Sequence, residues 1–224
     1  MNNDRTVANF LSNFVSEKRL DRIEEILEQR TRYLTIVLED IYQSQNANAV
    51  LRTCECFGVQ DVHIIENRNQ YNINPMVVQG ADKWLTIHRY NEAENNSIDA
   101  INRLKTEGYR IIVTSLNKES IAVADLGIDH GKFAIIFGNE HNGVSQYMMD
   151  NADECLRISM CGFTQSLNIS VSAGIIVSEL TQMIKSRIAG WQLSDSEKES
   201  LRAEWLAKSV KNPQLLLNRL AEEC

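Results

Sequence analysis

Four kinds of side chain at short spacings could do chemistry in this chain. They are a guanidinium at Arg52, six positions after Asn46; a carboxylate at Glu140 beside His141; a hydroxyl at Ser166; and an amide two positions on at Asn168. A guanidinium has a pKa above about 12, so Arg52 can pair with an anion but cannot take up a proton. By residue type alone it is a surface salt-bridge partner one turn into a helix. Glu140 can accept from loop amides, and His141 reads as an exposed loop residue. Asn46, Asn48, Ser166 and Asn168 are helix N-caps by type.

The elements that must position these groups follow from hydrophobic periodicity and its punctuation. Residues 34–38 are an apolar run that predicts a buried first strand; a polar loop follows, then a helix over about 48–57 closed by Gly58, then a strand over 62–65. Strand, helix and strand at that spacing form a right-handed βαβ unit. Further on, Pro75 opens a helical turn to Gly80, 85–88 reads as a strand, and 97–107 is a helix ended by Gly108. Strands are expected over 109–114 and 133–137, the latter apolar throughout as in the middle of a parallel sheet. A helix over 143–151 and a short strand over 155–158 lead to a long helix over 167–189. Ser170, Ser172, Ala173 and Gly174 leave little bulk on its first turns, so another backbone or a flat ligand can come close. Alternating strands and helices give an α/β domain with a mostly parallel sheet, in which ligands sit outside the carboxyl ends of the strands.

The two flanks read differently. Residues 1–33 are helical, with 17–32 free of glycine and proline, and two short helices are expected over 201–210 and 213–221. The chain therefore divides into an N-terminal helical extension (1–33), an α/β domain (34–190) and a C-terminal helical extension (191–224). On the first flank Arg19, Arg22 and Arg30 fall on one side of a helix, either docked along its apolar edge or facing a polyanion.

Composition narrows the function. With 43% apolar residues in 224, the chain can bury a substantial core. The net charge of -7 argues against a general polyanion binder. The deficit lies in the middle, where ten Lys/Arg meet eighteen Asp/Glu, whereas the flanks are nearly balanced. Five cysteines (Cys54, Cys56, Cys155, Cys161 and Cys224) show no repeated Cys-x-x-Cys spacing, which reads as buried free thiols rather than a disulfide framework or a metal site. No run of about 18 apolar residues and no signal-peptide core is present, so a cytoplasmic protein without a membrane span is expected. The Gly-x-Gly-x-x-Gly and Gly-x-x-x-x-Gly-Lys-Ser/Thr fingerprints are absent, which disfavours dinucleotide and triphosphate binding.

Three segments, in order and each at a strand-to-helix boundary, carry a resemblance. They are Asn46 Ala47 Asn48 Ala49 Val50 Leu51 Arg52 Thr53 Cys54, then Phe137 Gly138 Asn139 Glu140 His141 Asn142 Gly143 Val144 Ser145, then Ser166 Leu167 Asn168 Ile169 Ser170 Val171 Ser172 Ala173. Together they resemble the signature motifs of the SpoU branch of the SPOUT RNA methyltransferases over residues 34–190. The resemblance implies a SPOUT fold with a C-terminal deep trefoil knot. It also implies S-adenosyl-L-methionine bound by Thr114, Gly138, Ile158, Met160 and Leu167, and a homodimer formed through the knot helices. Ser159 stands where the family usually has proline.

The activity so implied is methyl transfer from a sulfonium to a ribose 2'-hydroxyl of RNA. The catalytic residues it implies are Arg52, Asn46, Glu140, Ser166 and Asn168. Because an arginine is a poor base, its expected role is a bidentate grip on the phosphate beside the target ribose. The helical flanks resemble those of the tRNA guanosine 2'-O-methyltransferases that act on the D loop; a ribosomal RNA is the second substrate choice. Two rival classes remain, a non-catalytic RNA-binding module of the same fold and a small-molecule enzyme using the same cofactor.

Overall fold

The computed structural model describes residues 2–117 and 119–223. Its strands are β1 (Leu34–Glu39), β2 (Asp61–Ile65), β3 (Thr86–Tyr90), β4 (Arg110–Thr114), β5 (Ile121–Ala122), β6 (Phe133–Phe137) and β7 (Glu154–Arg157). Its helices are α1 (Asn2–Ser12), α2 (Glu17–Leu27), α3 (Ser44–Phe57), α4 (Pro75–Val78), α5 (Asn96–Thr106), α6 (Gln146–Asp150), α7 (Ile169–Arg187), α8 (Asp195–Ser209) and α9 (Pro213–Glu223). The chain forms two compact units, one of residues 31–191 and one of residues 1–30 with 192–224.

In the larger unit the seven strands make one sheet, β3-β2-β1-β6-β4-β7-β5, and every pairing is parallel. Side chains alternate across it. Leu34, Ile36, Leu38, Phe133, Ile135 and Phe137 pack on the side of α3 and α7, whereas Val37, Ala134 and Ile136 pack on the side of α5 and α6. Each fully buried aliphatic or aromatic side chain contributes about 1.5–3 kcal/mol of apolar burial. The central strands β1, β6 and β4, covered on both faces, are therefore the rigid part of the unit.

Most elements fall where periodicity places them, and the departures have local causes. Helix α3 begins at Ser44, with Gln43 as N-cap. Asn46 and Asn48 are not caps: both lie inside the first turns, where Asn48 donates to Ser44 O and Asn72 O. Helix α6 starts at Gln146 rather than 143, because Gly143 has φ +69 and the Ser145 side chain caps the helix. Helix α2 ends at Leu27. Six residues on, Tyr33 donates its hydroxyl to Ile128 O and stands edge-on to Phe133 at 6.1 Å, so residues 31–33 belong to the sheet unit. The short β5 and the 3-10 turn Val123–Asp125 carry too little periodicity to be expected.

Inside the larger unit a closed polar cluster spans β2 and β3. Asp61 Oδ2 accepts from Arg32 Nε at 2.8 Å and Asp61 Oδ1 lies 3.8 Å from His88 Nε2. The His88 ring stacks on His63 at 4.5 Å, and His63 Nδ1 is 2.8 Å from the Tyr90 hydroxyl. Burial, followed by the charge of His88, pushes the His63 pKa down to about 3.

In the smaller unit, α2 and α8 are joined by Arg202 with Glu24 (2.6 Å) and Lys198 with Glu28 (2.7 Å). Arg30 is only 1% exposed and lies over the Trp205 ring at 5.2 Å. An arginine so enclosed takes the docked alternative and cannot join Arg19 and Arg22 on an outward basic face. The cysteines need correcting too: Cys54 is buried, Cys155 is half-buried, Cys56 and Cys161 are exposed, and Cys224 lies outside the described residues.

Candidate active site

Four adjacent strands, β1, β6, β4 and β7, point their carboxyl ends at one cavity of about 740 Å³. The loops that follow them supply its walls, as expected for an open parallel sheet. Thr114 ends β4 and donates its hydroxyl to Ile136 O on β6. Gly138 follows β6, Ile158 and Met160 follow β7, and Leu167 precedes α7. All five line the cavity.

Gly138 is required by the loop itself. A Cβ there would come within 2.1 Å of the Gly143 carbonyl carbon and the Val144 nitrogen. The loop closes on its own strand through the paired hydrogen bonds between Asn139 and Gly143, both 2.8 Å. Glycine was expected for close approach of a ligand; the approaching group in this structure is the chain's own backbone.

Asn46, Glu140, Ser166 and Asn168 line the same cavity. Glu140 Oε1 accepts from Asn46 Nδ2 at 2.6 Å and Gln43 N at 3.3 Å, and Oε2 accepts from Tyr42 N at 2.8 Å. Burial alone raises the pKa of this carboxyl. The hydrogen bonds from Asn46 and from backbone N–H groups outweigh it and hold the pKa below its ordinary value. Glu140 is thus ionised and satisfied by donors, which makes it a clamp between loops rather than a proton acceptor. Asn46 Oδ1 in turn accepts from Asn168 Nδ2 at 3.2 Å, and Asn168 Oδ1 caps α7 through Ser170 N at 2.8 Å. Asn168, not Ser166, is the cap. One chain of hydrogen bonds therefore fastens the loops after β1 and β6 to the start of α7.

Arg52 is not among the residues that line this cavity. It sits exposed on α3, six residues beyond Asn46, and at about 100° per residue it faces away from the Asn46 side of the helix. Besides Arg52, the nine groups that the resemblance implies all meet in the cavity.

Sequence reasoning passed over Tyr42 and Leu116, both exposed and both lining the cavity. A large side chain held out of the core within a polar loop was the available signal. No group of three or more His, Cys, Asp or Glu among the described residues could hold a metal ion.

Residues 33–178 match the SpoU rRNA Methylase family. The chain belongs to the SpoU methylase family. Among its relatives, a tRNA (guanosine(18)-2'-O)-methyltransferase of Borreliella burgdorferi is 43% identical over 208 residues, covering 93% of each chain. One of the same name from Aquifex aeolicus is 32% identical, covering 88% of this chain and 92% of its own. The solved structure of the A. aeolicus TrmH/SpoU tRNA modifying enzyme superposes with a TM-score of 0.76 at 29% identity, over 88% of this chain and 98% of that one. The SpoU methyltransferase AviRb from Streptomyces viridochromogenes, solved in complex with the cofactor AdoMet, shares the fold at 19% identity and a TM-score of 0.58, over 70% of this chain and 60% of that one. Among the described residues, no helix of this SpoU family member is long and apolar enough to cross a membrane.

Proposed function

We infer that the protein is an S-adenosylmethionine-dependent tRNA (guanosine(18)-2'-O)-methyltransferase, the activity carried in the names of its 43% and 32% identical relatives. The single observation that carries the reading is the meeting of two residue sets in one cavity: Thr114, Gly138, Ile158, Met160 and Leu167 for the cofactor, with Asn46, Glu140, Ser166 and Asn168 beside them. The cofactor fits the wall it would meet. Met160 and Leu167 are left 38% and 39% exposed at the cavity, apolar surface that a purine and its ribose would cover. When bound, S-adenosylmethionine supplies an activated methyl group on a sulfonium.

The residues of this chain do the positioning. Asn46, Glu140 and Asn168 hold three loops at one spacing, so that a ribose hydroxyl can be presented in line with the methyl group. Ser166 lines the same space and can donate to or accept from that ribose. Arg52 grips the phosphate next to the target ribose, and its charge orients the hydroxyl and stabilises the oxygen as its proton passes to solvent water.

Because Arg52 lies outside the cavity of its own chain, this role requires a homodimer in which the guanidinium serves the cavity of the partner subunit. Val171 and Ile175, 49% and 39% exposed on α7 beside the unhindered Gly174, supply an apolar face for that pairing. In this reading the unit of residues 31–191 is the methyltransferase domain, knotted at its C-terminal part, and the helical unit of residues 1–30 with 192–224 contacts the tRNA in the cytoplasm.

The test is transfer of labelled methyl from S-adenosylmethionine to tRNA and ribosomal RNA transcripts, with the modified ribose mapped by alkaline-hydrolysis resistance. Label at the D-loop guanosine supports the reading; label confined to ribosomal RNA, or none, refutes it. Sedimentation of the free protein as a monomer would remove the shared site.

A further inference from the structure

We propose that Tyr42, braced by His141, is the platform on which the target purine base stacks while its ribose is methylated. The inference rests on the RNA methyltransferase reading and adds to it the group that receives the base. Tyr42 is 59% exposed although its neighbour Ile41 is buried. Its ring meets the His141 ring at 5.3 Å with an interplanar angle of 67°, an edge-to-face pair that leaves the face of one ring open. Both residues line the cavity that holds Glu140 and Asn168.

The backbones beneath the rings are fastened, not loose. Tyr42 N donates to Glu140 Oε2 at 2.8 Å, and His141 N donates to Asn139 Oδ1 at 2.9 Å. Asn139 Nδ2 in turn donates to Asp40 O at 2.8 Å, tying the two loops together a second time. The carboxylate that positions Tyr42 is the same one that positions Asn46 and, through it, Asn168. A base resting on Tyr42 is therefore registered against the groups that hold its ribose.

An aromatic face kept in water on a braced loop gains nothing for the fold, since its apolar area stays hydrated. It gains when a flat heterocycle covers it, and stacking of one base on one aromatic ring commonly changes affinity by about five- to a hundredfold. A purine offers more area for this than a pyrimidine. The nucleotide must also leave its own stack for the 2'-hydroxyl to reach the cavity, and a platform at the rim offsets that unstacking.

The experiment measures single-turnover methylation of a tRNA transcript by wild type, Tyr42→Ala, Tyr42→Leu and Tyr42→Phe. It also follows cofactor affinity by calorimetry and assembly by sedimentation. Tyr42→Ala and Tyr42→Leu should each lose about tenfold or more in rate at subsaturating transcript. Tyr42→Phe should stay within about threefold of wild type, and cofactor affinity and assembly should be unchanged in all. On a transcript whose target nucleotide is abasic but keeps its 2'-hydroxyl, the Tyr42→Ala penalty should vanish. A penalty that persists on the abasic transcript, a Tyr42→Ala protein equal to wild type, or one altered in assembly would overturn the platform while leaving the enzyme reading intact. Wild type that methylates no transcript would overturn the reading on which both stand.

Discussion

Two polar clusters occupy the larger unit, and they differ in where the sheet leaves them. The first, Asn46, Glu140 and Asn168, stands beyond the carboxyl ends of central strands and opens on a cavity. The second, Asp61, His63, His88 and Tyr90, lies across the paired strands β2 and β3 and is mostly buried. The first spends its hydrogen bonds on fixing loops and leaves surfaces such as the Tyr42 ring uncovered. The second spends them on its own members and on Arg32, just before β1. Polar groups on the strands serve stability, whereas polar groups past their ends are free to serve a ligand.

That contrast can be broken most severely at Arg52 and Glu140. Arg52→Ala should lower kcat by about a thousandfold while leaving cofactor affinity within about tenfold and thermal stability unchanged. Turnover like wild type would deny it any part in the reaction. Glu140→Ala frees the loops after β1 and β6 and should lower kcat by about a hundredfold, because misplacement by about an ångström is that costly. Its urea midpoint should hardly move, and a large loss of stability would place the residue with the second cluster instead.

The second cluster should respond in the opposite sense. Asp61→Ala leaves Arg32 and His88 without their carboxylate, and it should cost about 3 kcal/mol in chemical denaturation with cofactor affinity preserved. The smallest effect, counted per pH unit, is in pH. His63 titrates at about 3 in the folded protein against 6.5 for the free side chain, so the unfolded chain binds the extra proton between those values. Stability should therefore fall as pH drops below about 6.5, with a slope of at most about 1.4 kcal/mol per pH unit from this group. His63→Gln should flatten that slope. Asp61, whose pKa is held below its ordinary value, adds its own loss only at lower pH, as its carboxylate is protonated.

Much of this was legible in the residues. The buried strands β1, β2, β4 and β6 are short apolar runs between glycines and polar loops, and a run of that kind has few other ways to satisfy its backbone. The three motif segments lie at strand ends and do converge, apart from Arg52. What stayed hidden depends on contacts distant in sequence. Arg30 looks like a surface cation until Trp205, far along the chain, covers it. Glu140 reads as an acceptor for loop amides, but that its donors are Tyr42, Gln43 and Asn46, nearly a hundred residues earlier, shows only in the fold. Gly138 looks like a ligand contact until the Gly143–Val144 backbone fills the space where a Cβ would be. Tyr42 carried no periodic signal at all, since exposure in a loop has none.

The ion pairs of Glu24 with Arg202 and Glu28 with Lys198 join helices from opposite ends of the sequence. During synthesis, α2 leaves the ribosome long before α8 exists, an interval on the order of ten seconds or more at ordinary translation rates. For that time the apolar stripe of α2, including Ile23 and Leu27, has no mate, while residues 31–191 already hold everything their sheet requires. Nascent chains of this protein should thus acquire a protease-resistant central body first, with the leading helices remaining open to chaperones until the final segment emerges.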